Sequence, residues 1–557
     1  MSHASLINKL FPLDYGLNSL SKMCKLAEDT LANTFDKKCV GRVPGAHSSE
    51  IFKKIINEYS NIPTKKTDIN KITSNFVTTF FSGAPVWRSP NLQYNVGAPV
   101  NVLSTAISAI AEDINIYNIN TGLSGNALAA EKAVSNILCS FAKIDKCMGS
   151  GIFTFGGTAT NLYAMKIAIN KSCPNASKNG LPSNVKFLVT EDAHFSHAVA
   201  ANWLGLGTNN LIIIPAKTDR TSDICKAEKL MNAILANGNI LAGIIVNGGT
   251  TYDHAIDDIH SFRQIRDKLE KKYCLEYRPH IHVDSVIGWS WLVFSNYNFK
   301  QNRLKLQPDL LNSINRQYQL ISKINQADSW GVDFHKGIGG CPIPCSVFMS
   351  NKKSDFLYLS KKEEKITQTH QVATEMSFDS PSDYTLETSR SGAAPLAALI
   401  ALHSLGKDGY RRCLANLVNM TALFRRKILK TKGVVVLNPS SKGFVTMLIL
   451  IPKELENVIN QHNAIEQVRN GTPEIINLLN SYTKSFFCWD NQTRIEKENT
   501  IVYSFSSSYI RSSSGIPVGA LKFYPTSPHF DEEYALKTAE TIAKQKLQFD
   551  MDYYSKE

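Results

Sequence analysis

The sequence predicts an α/β protein with a mostly parallel central sheet flanked by helices, followed by a smaller C-terminal α/β lobe. Between residues 151 and 350, short apolar runs alternate with segments of helical periodicity, which is typical of parallel strands joined by crossover helices. The length of 557 residues, with 43% hydrophobic and 20% charged residues, suits a globular protein of two or three domains. From about residue 410 a second, shorter set of strand and helix patterns follows.

We therefore expect three parts along the chain: an N-terminal helical segment 1–95, a large domain 96–400 and a small C-terminal domain 401–557. In the first part, helical patterning covers residues 17–31 and 48–58.

The large domain carries most of the predicted elements. Strands are predicted at residues 185–190, 211–215, 241–246, 280–284, 330–333 and 345–349. Helices are predicted at residues 100–115, 126–142, 158–169, 196–204, 226–236, 257–272 and 393–405. The polar segment 351–385 is predicted to be an irregular, mobile loop region.

The C-terminal part is predicted to contain strands at 434–437, at 445–451 and near 521–524. Its serine-rich stretch 504–514 is predicted to be a loop or a sheet edge.

Charge and cysteine usage exclude several classes of protein. The formal net charge is +13, but the basic residues are spread along the chain, which favours a solvated basic surface over a nucleic-acid site. No apolar run is long enough to span a bilayer, and residues 1–9 lack the pattern of a secretory signal. The 11 scattered cysteines suit reduced thiols in the cytoplasm better than a disulfide framework.

A His-Lys pair follows one of the predicted buried strands and leads into a glycine-rich turn. Lys336 at this position can form a Schiff base with an aldehyde cofactor. Its neighbour His335 could flank the cofactor or the substrate and transfer a proton. One lysine among many carries little information, so the prediction depends on what accompanies it.

Two further features complete a set of anchors. Asp284 ends an apolar strand, where its carboxylate could hold a protonated ring nitrogen. A phosphate-type loop is predicted over residues 151–161. Its turn Gly156-Gly157-Thr158 opens a predicted helix, whose free amides and dipole suit a phosphate. A phosphate cradle, an acid and an amine are the anchors that pyridoxal 5'-phosphate requires. His280 and His282 are spaced as residues on one face of a strand, but no further suitable ligands follow, so we predict no metal site.

Five short motifs in this order resemble the pyridoxal-phosphate-dependent amino-acid decarboxylases of the glutamate and aromatic-amino-acid group. The resemblance covers roughly residues 95–400 and implies the type I aminotransferase-like fold. The motifs are Gly156-Gly157-Thr158, Asp192-Ala193-His194-Phe195-Ser196, Gly249-Thr250-Thr251, His282-Val283-Asp284 and His335-Lys336.

The resemblance also implies roles for further residues. In the family, the positions of Gly157 and Thr158 hold the cofactor phosphate, and the histidine at the position of His194 stacks on the pyridine ring. Asn247 stands near the ring where the family often has threonine. Two residues come from later segments: Arg390 as partner of a substrate carboxylate, and Tyr384 as a loop acid that protonates the product. Asp257 is expected to play a supporting, cap-like role at a helix start.

The activity implied is decarboxylation of an L-amino acid. Glutamate or aspartate is favoured slightly by the charge and by the segment that contains Arg390, while aromatic and diamino substrates stay open. A carbon–carbon lyase of the sphingosine-phosphate lyase type shares the motif order and stays open, as does a catalytically silent scaffold with the same fold. The family also implies a homodimer with active sites at the subunit interface, where the N-terminal segment packs on the partner.

Overall fold

A seven-stranded sheet forms the centre of the larger of two structural units. The computed structural model describes residues 10, 17–34, 49–65, 68–81, 84–360, 380–494 and 500–555. The smaller unit consists of residues 1–95, 427–435 and 448–557, and the larger one of residues 96–426 and 436–447. The division predicted from the sequence, 1–95, 96–400 and 401–557, stays a prediction.

The elements of the larger unit alternate as the hydrophobic pattern predicts. The strands are β2 (Ser150–Thr154), β3 (Val185–Thr190), β4 (Leu211–Ile214), β5 (Ile240–Asn247), β6 (His280–Asp284), β7 (Ser329–Asp333) and β8 (Ser346–Ser350). The helices are α4 (Val102–Asp113), α5 (Thr121–Ser124), α6 (Ala127–Ala142), α7 (Gly157–Ser172), α8 (Ala176–Asn179), α9 (Ser196–Trp203), α10 (Ile224–Ala236), α11 (Ile259–Lys272), α12 (Pro308–Ile321) and α13 (Ala393–Ile428). Short 3-10 helices occur at Thr208–Asn210, Gly288–Phe294, Ser322–Gln326, Lys353–Leu359 and Pro381–Asp383.

The strand order in the central sheet is β2-β8-β7-β6-β5-β3-β4. Strands β4, β3, β5, β6 and β7 are parallel, and β8 runs antiparallel to both β7 and β2. The prediction of a mostly parallel sheet covered by helices is therefore confirmed. Because β6 and β7 are neighbours, the segments that follow them leave the sheet at the same edge, where ligands of open parallel sheets bind.

Helix α7 lies in the core and is buried on all sides. On one side Leu162, Met165 and Ile169 belong to a cluster with side chains of β3 and β5. On the other side Tyr163 and Ile167 pack with Phe348 and Phe356. Because the helix is buried among the core side chains, its first turn, which follows Gly156, has a fixed position.

The smaller unit contains helices and a five-stranded sheet. The helices are α1 (Leu17–Thr34), α2 (Ser49–Tyr59), α3 (Ile69–Phe80), α14 (Ala464–Asn470), α15 (Pro473–Arg494) and α16 (Glu532–Tyr554). The strands are β1 (Leu92–Gln93), β9 (Val434–Val436), β10 (Thr446–Leu450), β11 (Val502–Arg511) and β12 (Pro517–Phe523), in the order β1-β11-β12-β10-β9. A 3-10 turn covers Lys453–Leu455.

Three sequence predictions need correction. Residues 151–154, assigned to a phosphate loop, belong to strand β2, and the turn is confined to the two residues before α7. Of the two alternatives for the serine-rich stretch 504–514, the loop is wrong, because residues up to Arg511 belong to strand β11 and pair with β12. Strand β1 pairs with Val502 and Tyr503, so the residues from Ser504 onward lie at a sheet edge, as the other alternative had it. The helix predicted at 393–405 extends to Ile428, with a break at Gly406, whose φ is 59°. Residues 361–379 of the predicted loop region, and residues 1–9, lie outside the described residues.

None of the described helices is both long and apolar enough to cross a bilayer. Within the described ranges, no group of three or more His, Cys, Asp or Glu side chains is placed to hold a metal ion.

Candidate functional site

The amine of Lys336 lies against a buried carboxylate three residues earlier in the chain. Lys336 Nζ is 2.7 Å from Oδ2 of Asp333, which ends strand β7 and is fully buried. The other oxygen, Asp333 Oδ1, accepts a hydrogen bond of 2.6 Å from Ser346 Oγ on β8. His335 Nδ1 accepts a hydrogen bond from the Cys345 N–H, and its Nε2 is 3.7 Å from Asp333 Oδ2. The Asp333 carboxylate therefore fixes where the lysine amine is held.

The glycine turn before α7 packs directly on this carboxylate. Gly156 has φ 145°, a conformation that favours glycine. A Cβ on Gly157 would lie 2.6 Å from Asp333 Oδ2, so only glycine fits there. Thr158 is exposed at the first turn of this 16-residue helix, where amide N–H groups and the helix dipole attract anions. The structure thus brings Gly157 and Lys336 to the same oxygen of Asp333.

Asp284, at the end of β6, is surrounded by side chains that donate hydrogen bonds. Its Oδ2 accepts a hydrogen bond of 3.1 Å from Asn161 Nδ2 on α7 and lies 3.2 Å from His197 Nε2 on α9. Burial alone would raise the pKa of Asp284, but the imidazoles of His197, His282 and His194 outweigh it and hold that pKa well below its usual range. The side chain is therefore an ionised acceptor in a buried place.

His194 connects these two regions. Its Nδ1 is 2.9 Å from Ser196 Oγ. That oxygen in turn accepts a hydrogen bond of 3.0 Å from Asn161 Nδ2. The side chain is partly exposed, and its ring packs at 4.3 Å on Phe195. Partial desolvation by the surrounding protein lowers the pKa of His194; the charge of Asp284 opposes this shift, and that of Lys336 adds to it. The imidazole is therefore neutral near pH 7 and presents an exposed face within electrostatic range of both anchors.

Asn247, at the end of β5, is held from two directions. Its Nδ2 donates a hydrogen bond of 2.5 Å to Thr190 Oγ1 at the end of β3. Its backbone N–H donates a hydrogen bond of 2.7 Å to Asp257 Oδ2. Asp257 is not the cap of α11, as predicted, because Asp258 caps that helix by accepting from the Ser261 N–H. Burial raises the pKa of Asp257 to about 6, and its N–H donors, from residues 247 and 222, oppose the rise.

Arg390 is buried in an ion pair with another residue of the chain. Its Nη2 is 2.7 Å from Glu131 Oε1 and also donates to the Phe153 carbonyl, while Nη1 donates to the Asn118 carbonyl. Arg390 lines a cavity of about 490 Å³ together with Thr154, Phe155, Ile343 and Glu387. The guanidinium is thus engaged on one side and faces a cavity on the other.

Tyr384 lies in the apolar core rather than on a loop surface. It is 2% exposed, and its ring packs with Phe356 and the cluster that covers α7. The structure groups Gly157, Asp333, Lys336 and His335 around one carboxylate, and Asp284 and His194 around Asn161. Tyr384 and Arg390 belong to neither group.

Four residues of this arrangement were missed at the level of sequence: Asn161, His197, Ser329 and Asp333. Asn161 and His197 each lie within five residues of a recognised motif, so their polarity was visible. Asp333 and Ser329 stand in the strand that leads to Lys336. Their type gave no signal, since a polar residue at a strand end is usually explained by capping or solvent.

One atom shows that the site suits pyridoxal phosphate. Asp284 Oδ1 is buried, and no described residue donates a hydrogen bond to it. Buried polar atoms in folded proteins nearly always have a partner, so a donor from a ligand is expected here. A protonated ring nitrogen is such a donor, and the amine at Lys336 and the helix start at Gly157 match the remaining groups of the cofactor.

Comparison with known proteins agrees with this assignment. The profile of the family described as "Pyridoxal-dependent decarboxylase conserved domain" matches residues 53–446. An L-2,4-diaminobutyrate decarboxylase of Acinetobacter baumannii is 24% identical over 344 residues, covering 58% of this chain and 61% of that protein. An L-aspartate decarboxylase of Metarhizium robertsii is 23% identical over 345 residues, covering 61% and 62%. The matches thus span about three fifths of these relatives.

Solved structures show the same fold. The glutamate decarboxylase domain of a diaminobutyrate-pyruvate transaminase and L-2,4-diaminobutyrate decarboxylase from Vibrio parahaemolyticus aligns with a TM-score of 0.73 at 17% identity, covering 98% of this chain and 100% of that one. A Catharanthus roseus tryptophan decarboxylase in complex with L-tryptophan gives 0.74 at 15% identity, covering 97% and 99%. The predicted fold class is confirmed.

Proposed function

Because the chain belongs to the pyridoxal-dependent decarboxylase family, we propose that it removes the carboxylate of an L-amino acid as carbon dioxide, with pyridoxal 5'-phosphate as cofactor. The observation that carries the proposal is the ionised, buried Asp284, whose Oδ1 has no donor among the described residues. When bound, the cofactor supplies an aldehyde that captures an amine and a ring that accepts electrons.

Each predicted residue has a task in this proposal. The Lys336 amine links to the cofactor, and Asp284 accepts a hydrogen bond from the ring nitrogen and keeps it protonated. Amides at Gly157 and Thr158 bind the phosphate. The neutral His194 ring covers one face of the pyridine, and Asn247 lies at its edge. The support for this assignment is that the first three anchors are held by buried partners, which preorganises them.

Proton return to the substrate carbon is assigned to the chain's own acids. His335 is the favoured donor, since its Nε2 lies 3.7 Å from Asp333 Oδ2, the same oxygen that the Lys336 amine contacts. Tyr384 stays a second proposal, although its burial in the core argues against direct contact. Arg390 is proposed to contact the substrate carboxylate from the cavity that it lines.

The experiment that tests the proposal compares two lysine variants. We expect Lys336→Ala to lose the visible absorption band of the lysine-linked cofactor and the release of carbon dioxide from amino acids. Lys300→Ala, which changes an exposed lysine, should keep both. Turnover by Lys336→Ala at the wild-type rate would refute the assignment, and release of an aldehyde without carbon dioxide would favour the carbon–carbon lyase.

The substrate is proposed to be an amino acid with a short polar side chain. Relatives are named for 2,4-diaminobutyrate and aspartate, and a less extensive match is a glutamate decarboxylase. The net charge of +13 favours an acidic substrate, whereas Glu112 and Glu387 in the cavity favour one with an amine. Competition among aspartate, glutamate and 2,4-diaminobutyrate, read as the amine formed, would rank them.

We also propose a homodimer in the cytoplasm. The N-terminal helices carry exposed apolar side chains, with Phe52 64%, Phe76 48% and Phe80 44% exposed, which a second copy would cover. The ten described cysteines form no disulfide, which suits a reducing compartment. Light scattering should give twice the chain mass of 61.8 kDa, and a monomer at micromolar concentration would contradict the dimer.

A further inference from the structure

A chain of buried hydrogen bonds runs through the sheet and ends on Asp284. Ser329 Oγ, on β7, lies 2.7 Å from His280 Nε2 and 2.8 Å from His282 Nδ1. His282 Nε2 lies 3.0 Å from Asn161 Oδ1, and Asn161 Nδ2 donates a hydrogen bond of 3.1 Å to Asp284 Oδ2. All five side chains are buried, at 7% exposure or less, so water does not compete for these bonds.

Only one direction of donation is compatible with all four hydrogen bonds of this chain. An ionised carboxylate only accepts, so Asn161 must turn its NH2 group to Asp284 and its oxygen to His282. His282 is neutral, because burial lowers its pKa to about 3, and its single proton must then be on Nε2. Its Nδ1 consequently accepts from the Ser329 hydroxyl.

The direction of the hydrogen bond between Ser329 and His280 is fixed in the same way. Since the Ser329 proton is used towards His282, its oxygen accepts from His280 Nε2–H. Burial also lowers the pKa of His280, so that ring is neutral and has only this proton to give. The hydroxyl of Ser329 is therefore the one group in the chain that accepts from one imidazole and donates to the other.

We propose that Ser329 is a positioning residue that, through His282 and Asn161, holds the Asp284 carboxylate with Oδ1 aimed at the ring nitrogen of the cofactor. The proposal rests on the proposed function only in taking pyridoxal phosphate as the ligand. Ser329 touches neither the substrate nor the cofactor in this proposal, and its effect reaches the site through the orientation of one amide.

Removing the hydroxyl should release that orientation. Without Ser329 Oγ, Nδ1 of His282 loses its donor, and the imidazole is no longer held from both sides. A ring that turns away weakens its bond to Asn161 Oδ1, so the amide is held only through its NH2 group, which donates to Ser196 and to Asp284. The Asp284 carboxylate would then be held less firmly in its aimed position.

The test compares the affinities of Ser329→Ala for two ligands. Pyridoxal 5'-phosphate can donate to Asp284 Oδ1 from its ring nitrogen, whereas 1-deazapyridoxal 5'-phosphate has carbon at that place and cannot. We expect Ser329→Ala to weaken binding of the first ligand roughly 10- to 100-fold, the effect of one buried hydrogen bond. Binding of the deaza ligand should stay nearly unchanged, so the dissociation constant of the deaza ligand divided by that of pyridoxal 5'-phosphate should fall roughly 10- to 100-fold.

Ser350→Ala is the matched control. Ser350 is also fully buried and pairs with Ser329 in the β7–β8 register, but its hydroxyl donates to the Lys352 carbonyl rather than to a histidine. Both variants lose one buried hydroxyl from the same sheet. Ser350→Ala should leave the ratio of the two dissociation constants at the wild-type value.

Two further variants keep the proposal open to refutation. If Ser329→Ala does not fold, Ser329→Cys keeps the volume with a weaker donor and should fall between serine and alanine. The double variant Ser329→Ala with Asn161→Ala should lose no more selectivity than Asn161→Ala alone, since both act through one amide. Equal loss for both ligands, or full additivity, would overturn the proposal.

The outcome is separate from that of the proposed activity. A protein that binds the cofactor with the expected ratio but releases no carbon dioxide would contradict decarboxylation and leave the role of Ser329 intact. A protein that decarboxylates amino acids, but in which Ser329→Ala keeps the wild-type ratio of dissociation constants, would contradict the role of Ser329 and leave the proposed decarboxylation intact.

Discussion

The buried pair of Glu131 and Arg390 allows a direct prediction about the role of the arginine. The two charges are 2.7 Å apart, with side-chain exposures of 1% and 4%. At an effective dielectric constant of about 20, the Coulomb attraction at that distance is about 6 kcal/mol, before the cost of removing both ions from water. Glu131 also accepts from the Phe153 N–H and from Asn118 Nδ2. Neutralising Glu131 would therefore leave the buried Arg390 guanidinium without its anionic partner.

We expect Glu131→Gln to lower the free energy of unfolding by about 3–5 kcal/mol, the usual cost of breaking a buried ion pair on one side. Arg390→Met should cost a similar amount. The double variant should lose less than the sum of the two by about 2 kcal/mol or more, because the second change removes the charge that the first one stranded.

Urea denaturation at pH 7 measures these values, and Glu112→Gln serves as the control. Glu112 is an exposed carboxylate of the same cavity that accepts one hydrogen bond, from Ser391, so its loss should cost under about 1 kcal/mol. If Glu131→Gln and Arg390→Met both unfold at the wild-type urea concentration, the pair is not structural. A raised KM with unchanged stability in Arg390→Met would then assign Arg390 to the substrate alone.

Two other predictions concern protonation and packing. Burial lowers the pKa of His254 to about 3, and Arg425 adds to the effect, so the unfolded chain binds a proton below about pH 6.5 that the folded chain does not. Stability therefore falls on acidification, and between pH 7 and 5 wild type should lose about 2 kcal/mol more than His254→Phe; equal losses would contradict this. Gly157→Ala places a Cβ 2.6 Å from Asp333 Oδ2, so it should cost about 1–3 kcal/mol in stability and weaken cofactor binding. Gly122→Ala, whose Cβ meets nothing closer than 3.4 Å, is the control. An unchanged affinity of Gly157→Ala for the cofactor would show that the Asp333 carboxylate moves aside without loss, which would contradict this prediction.

Much of the central sheet could be predicted because its strands have a simple pattern. The bounds predicted for Val185–Thr190 and His280–Asp284 are those observed, since both carry apolar residues at alternate positions and end at a polar residue. Three long helices were not predicted, at Pro308–Ile321, Pro473–Arg494 and Glu532–Tyr554. The signals were present: two begin with proline and an acidic residue, and the third follows an aspartate cap.

The candidate site was only partly predictable for a different reason. Lys336 and Asp284 could be proposed from chemistry because a strand end exposes them to a ligand. Asn161 and Ser329 act through partners that are far away in sequence: the bond from Asn161 to Asp284 spans 123 residues, and that from Ser329 to His282 spans 47. Such pairs depend on how strands are ordered in the sheet, and spacing along the chain does not encode that order.

The adjacency of β6 and β7 has a consequence for how the protein matures. These neighbours are separated by residues 285–328, so a growing polypeptide that ends near residue 320 already carries Asp284 but has neither β7 nor Lys336. The cofactor can be bound through both residues only after β7 and Lys336 have been synthesised and β7 has paired with β6. Since a ligand that binds only the native state stabilises it by mass action, cofactor supply should act late in biogenesis and raise the yield of finished protein rather than the speed of early collapse.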